Sequence, residues 1–226
     1  MAQQLPLGLE LRPRVDFGSF IGTQNAELVS RLRLTPDPFL YLWGESGSGK
    51  SHLLQASCRE TDERGESSAY IPLEQIDELE PGVLEGLEGM QLVCLDDLQQ
   101  LAGKADWELA LFNLFNRLRE NSAQLVVSAN APPAQLPILL ADLASRLTWG
   151  PCYHLLPLDD AGRVELLIRQ AEQRGLKLSS EIAIFLIQRL PRDSHSLTRL
   201  VERLDHASLA EKHRLTIPFV RRVLQL

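Results

Sequence analysis

The sequence predicts an α/β fold with a mostly parallel sheet, followed by a small all-helical domain. Three observations carry that prediction. Residues 44–51 form a complete G-x-x-x-x-G-K-S loop between an apolar run and an amphipathic segment. Further apolar runs alternate with helical patterns, as in sheets whose parallel strands are joined by helices. After Pro157 the pattern turns to helices alone.

Residues 39–43 give the first strand, and the glycine loop and a helix follow it. In such a loop Gly44, Glu45, Ser46, Gly47, Ser48 and Gly49 turn successive backbone N–H groups inward, and the next helix offers its positive end to phosphates. Lys50 reaches the outer phosphates, Ser51 supplies a hydroxyl to magnesium, and His52 continues the helix. Residues 69–73, 92–95, 124–128 and 153–158 read as further strands. The run Leu92-Val93-Cys94-Leu95 suits a sheet covered on both faces. Trp107, Leu111, Leu114 and Leu118 mark one face of a helix. The glycine- and glutamate-rich residues 82–89 read as a solvated loop or frayed helix. Beyond residue 158, Asp159 or Asp160, Ser179, and Asp193 or Ser194 are candidate helix caps, and Thr216-Ile217-Pro218 opens a last helix.

The chain has 226 residues, room for one core with a smaller satellite. Its net charge of −7 argues against binding a nucleic-acid backbone across a broad face. Arginine supplies 19 of the 23 cationic residues, a bias suited to phosphate or carboxylate recognition. No apolar run approaches a membrane span and no secretory signal is visible, so a soluble, cytoplasmic protein is expected. Cys58, Cys94 and Cys152 match no metal-ligand spacing and read as reduced core residues.

Asp96 and Asp97 end an apolar strand about forty-five residues after the phosphate loop, where magnesium coordination is expected. Asp96 would act on the metal, directly or through water, and Asp97 would orient an attacking water. Asn130, at the end of another buried strand, faces the crevice where ligands bind in parallel sheets, or else satisfies its own turn before Pro132-Pro133. Arg146 has no obvious nearby acid. It reads either as a surface salt-bridge cation or as an arginine finger, a cation placed against a neighbour's phosphates.

The phosphate loop, the Leu-Asp-Asp strand, the Ser128-Ala129-Asn130 strand end, the Ser145-Arg146-Leu147-Thr148-Trp149-Gly150 segment and the helical end follow one another as in AAA+ proteins of the DnaA type. The resemblance runs from about Phe17 to the C-terminus, and is greatest to the family's regulatory branch, which inactivates the initiator. It implies a clamp-binding tail over residues 1–15, an AAA+ P-loop domain with a parallel sheet over 16–158, and a helical lid over 159–226. It also implies that the initiator's additional N-terminal and DNA-binding domains are lacking. In the tail, Gln4, Leu5, Leu7 and Leu9 resemble a sliding-clamp-binding peptide. Phe17, Phe20 and Ile21 fall in the family's segment that wraps the nucleotide base. His195 stands where these proteins usually carry a sensor arginine, with Arg192 and Arg199 as substitutes one alignment step away.

Histidine holds a phosphate less firmly than arginine near neutral pH. The resemblance therefore implies weak hydrolysis in the chain's own site, ADP or ATP with Mg2+ as cofactors, and Arg146 acting in trans on ATP held by the DnaA initiator. The implied partners are DnaA and the DNA polymerase III sliding clamp, with no strong direct DNA binding, no membrane, and homo-oligomerisation left open. A self-contained AAA+ ATPase, acting as a remodelling or loading factor, is the alternative.

Overall fold

A computed structural model describes residues 15–34, 37–189, 194–211 and 214–225, without the side chains of Ser194 and His195. Helix α1 (Ala26–Leu34) leads to β1 (Phe39–Trp43), whose alternate side chains enter different cores. Phe39 and Tyr41 join one cluster, Leu40 and Leu42 another, because successive strand residues point to opposite faces. Helix α2 (Lys50–Glu63) and strands β2 (Ser68–Pro72) and β3 (Leu92–Asp96) follow. Next come α3 (Ala105–Glu120), β4 (Gln124–Ala129), α4 (Ala141–Arg146) and β5 (Cys152–His154). The sheet runs β2-β3-β4-β1-β5 with every pair parallel, as the sequence predicts.

Both faces of the sheet are covered, which explains the unbroken apolar runs. Trp107, Leu111, Leu114 and Leu118 of α3 pack against Val93, Leu95, Leu125 and Val127. Leu28 and Leu32 of α1, with Leu53, Leu54 and Cys58 of α2, close the other face over Cys94 and Val126. Each fully buried leucine contributes about 2 kcal/mol. Gly150 is fixed by packing, since a Cβ there would lie 2.4 Å from the Phe39 carbonyl oxygen as β5 approaches β1. On α3, Glu108 is fully buried and accepts hydrogen bonds from the backbone N–H groups of Gly103, Leu139 and Leu140. One carboxylate thereby organises the turns on either side of the helix.

Three expectations are corrected. The fifth strand covers only Cys152–His154, because the side-chain amide of Asn25 takes over its backbone groups: it donates to Leu156 O and accepts from Leu156 N, both at 3.0 Å. Cys58 and Cys94 are buried, but Cys152 is exposed on this edge strand. Residues 82–89 are neither loop nor frayed helix; they form 3-10 turns at Pro81–Leu84 and Leu87–Gly89, pinned by fully buried Leu84.

The C-terminal part holds α5 (Asp160–Gln173), α6 (Ser180–Ile187), α7 (Ser194–Glu211) and α8 (Ile217–Leu224). Asp159, Ser179 and Thr216 cap α5, α6 and α8 by accepting from the N–H of Gly162, Ile182 and Phe219. These helices share their own cluster, including Leu167, Ile182, Leu186, Leu197, Val201 and Val220. Among the described residues, no helix is long and apolar enough to cross a membrane.

Candidate functional site

The glycine loop joins the C-terminal end of β1 to the first turn of α2. Gly47 and Gly49 have φ of 76° and 103°, values that favour glycine, and Gly49 precedes α2 with no side-chain cap on the helix N–H groups. A Cβ on Gly49 would lie 2.9 Å from the Phe20 ring. Lys50 is buried, and its Nζ donates to the carbonyls of Gly44 and Glu45 at 2.9 and 3.0 Å. Burial lowers its pKa below the ordinary value, opposed by the negative charges of Asp97 and Asp96. A phosphate would reinforce that opposition and hold the lysine charged.

Asp96, buried at the end of β3, accepts from Tyr70 Oη at 2.7 Å on Oδ2 and from Ser128 Oγ on Oδ1. Asp97 takes a left-handed backbone, φ 61°, and its N–H donates to the same Ser128 hydroxyl at 3.1 Å. Gln99 joins two predicted residues: its Nε2 donates to Asp97 Oδ1 at 2.9 Å, and its Oε1 accepts from the backbone N–H of Asn130 at 3.1 Å. Ser51 and Asp96 offer hard oxygen donors. Magnesium is commonly held by one or two carboxylates together with substrate phosphates, so this donor set fits it. No cluster of three or more His, Cys, Asp or Glu side chains suited to a metal occurs among the described residues.

A cavity beside the loop is walled by Phe20, Ile21, Ser48, Gly49, His52 and Leu158, and by α5. His52 secures the N-terminal wall: its Nε2 lies 2.9 Å from Asp16 O and its ring 5.7 Å from that of Phe20. Burial lowers the His52 pKa, partly countered by the Asp16 carbonyl. Two buried polar atoms of lining residues, Ser48 Oγ and Gln170 Oε1, have no hydrogen-bond partner among the described residues. A wall part apolar and part unsatisfied polar suits a base with attached phosphates.

Several expected residues lie elsewhere. Phe17 sits outside this cavity, under the Arg33 guanidinium at 5.6 Å and beside Arg59 and Glu60. Arg192 and the clamp-binding residues Gln4, Leu5, Leu7 and Leu9 lie outside the described residues, as does the His195 side chain. Arg199 is exposed and does not line the cavity. From the helical part, Leu166, Arg169, Gln170, Gln173 and Arg174 line it instead, with Thr198 of α7. Arg169 donates to Gly18 O at 3.2 Å, and Arg174 pairs with Glu202 at 3.0 Å. Their spacing marks one helical face, a signal present in the sequence but unremarkable without the loop opposite.

Arg146 ends α4 and is not among the residues that line the cavity beside the phosphate loop. Its guanidinium lies 4.3 Å from the centre of the Trp149 ring, 5.5 Å from Phe112 and 5.7 Å from Phe115. The salt-bridge reading is thus replaced by an aromatic cradle, which holds a cation without neutralising it.

Residues 160–224 match the family model of the Hda lid domain, and residues 82–153 that of the bacterial DnaA ATPase domain. An uncharacterized protein of Haemophilus influenzae is 43% identical over 231 residues, covering 100% of both chains. Domain III of the Thermotoga maritima replication initiation protein DnaA superposes with a TM-score of 0.82 at 22% identity, covering 95% of this chain and 97% of that one. AMPPCP-bound DnaA from Aquifex aeolicus gives 0.72 at 24% identity, covering 89% and 68%.

Proposed function

Because the chain belongs to the Hda/DnaA-related AAA+ proteins, we propose that it is a nucleotide-bound regulator of replication initiation, acting on ATP held by a DnaA partner. The observation that carries this reading is the separation of two parts. The loop, Lys50 and the α5 wall make a nucleotide cleft, while Arg146 stands on aromatic rings away from it. An arginine so held suits a phosphate on another subunit, where a finger supplied in trans accelerates hydrolysis by about a thousandfold or more.

In this reading ADP or ATP occupies the cleft with Mg2+ near Ser51 and Asp96, and Phe20 and Ile21 border the base. The magnesium, when bound, neutralises phosphate charge; Lys50 and the loop N–H groups bind and orient. Weak hydrolysis at most is expected in the chain's own site. The separate hydrophobic cluster of α5 to α8 supports a lid distinct from residues 16–158. Gln4, Leu5, Leu7 and Leu9 would tether the protein to the sliding clamp, raising its concentration near partners on replicating DNA. One observation favours the alternative of a self-contained ATPase: Gln99 ties the Asp97 carboxylate to the backbone N–H of Asn130, holding the ends of β3 and β4 together beside the loop's strand.

The test is ATP turnover by purified, ATP-loaded initiator with DNA-loaded clamp, with and without this protein. Wild type should stimulate strongly, while Arg146→Ala and a variant lacking residues 1–15 should not. Brisk turnover by this protein alone, with no stimulation of the initiator, would favour the self-contained ATPase.

A further inference from the structure

Asp96 is the buried acid expected near magnesium, yet each of its oxygens already accepts a hydrogen bond from a neighbouring strand. Ser128 on β4 donates to Oδ1 and Tyr70 on β2 donates to Oδ2 at 2.7 Å. Parallel pairing sets Tyr70 opposite Cys94, two residues before Asp96, so the ring spans the end of the sheet to reach the carboxylate. From the other side, the Ser51 and Gln55 side chains of α2 approach the same phenol and oppose the rise in its pKa that burial causes. Tyr70 therefore stands between the two protein oxygens offered to the metal, Ser51 on the phosphate-loop helix and Asp96, which it holds, on the sheet.

We propose that Tyr70 is a positioning residue of the nucleotide site, fixing the Asp96 carboxylate together with Ser128 in the orientation in which it meets the metal or its bound water. Each carboxylate oxygen carries two lone pairs, so both hydrogen bonds can persist while one acceptor site on each oxygen stays open to the metal or to its water. Groups of this kind, which hold a metal's partners in orientation, typically change metal affinity by about 10-fold to 100-fold when removed.

The inference rests on the nucleotide reading, and one experiment separates the two. The affinity of a fluorescent ADP analogue is measured in magnesium and in EDTA for wild type, Tyr70→Phe and Ser128→Ala. Phenylalanine keeps the ring and loses only the hydroxyl; alanine at 128 releases the other carboxylate oxygen. Both variants should keep the wild-type affinity in EDTA and lose about tenfold of the gain that magnesium gives. A wild-type magnesium gain in Tyr70→Phe, or an equal loss in both buffers, would overturn the positioning role while leaving the nucleotide site intact. Failure of the wild type to bind the analogue in either buffer would overturn both.

Discussion

Gly49 and His52 show how closely the phosphate loop and the N-terminal segment depend on each other. Gly49 combines a φ of 103° with a Phe20 ring in the place of its missing side chain, so Gly49→Ala should destabilise the protein by about 1–3 kcal/mol and weaken ADP binding, as thermal unfolding and ADP titration would record. His52 ties the same segment down through Asp16 O. Its folded-state pKa lies below the ordinary 6.5, so the unfolded chain binds more protons once pH falls below that value. This contribution to stability is complete above about pH 6.5 and is lost as pH falls towards the folded-state pKa. Urea midpoints should therefore drop on acidification by more in wild type than in His52→Gln. Lys50 and Ser51 are legible in the sequence because a phosphate loop has a fixed spacing, and Asp96 because it ends an apolar strand after that loop. Tyr70, Gln99 and Ser128 are not, since their roles arise from strand pairing across the sheet.

At the scale of elements, the unbroken apolar runs of the strands and the spacing on α3 specified the layers, and Asp159 and Ser179 marked helix starts, while the end of β5 escaped prediction. Strand β5 stops early because an asparagine far away in sequence supplies its hydrogen bonds, a substitution that no local pattern announces. Glu108 is a similar case: a charged residue on the buried face of α3 whose partners are backbone N–H groups before and after the helix. Glu108→Ala would leave those donors buried and unpaired, and should cost at least about 2 kcal/mol in urea unfolding. On α5, Arg169 and Gln170 face the cleft at helical spacing, and only the fold brings the phosphate loop opposite them.

For the whole molecule, the decisive arrangement is the cleft between the loop and α5, proposed to hold the nucleotide, with Arg146 set apart on Trp149, Phe112 and Phe115. The order of motifs made the fold and family readable, but no spacing in one chain reveals whether an arginine serves its own nucleotide or a neighbour's. Tracing whose phosphate is released answers that most directly. With DNA-loaded clamp present, initiator carrying terminally radiolabelled ATP is mixed with this protein carrying unlabelled ADP, and labelled phosphate is followed with wild type and with Arg146→Ala. The account predicts acceleration of about a thousandfold or more by wild type and none by the variant. Equal label release with and without the protein, together with rapid hydrolysis of ATP supplied to the protein alone, would contradict it.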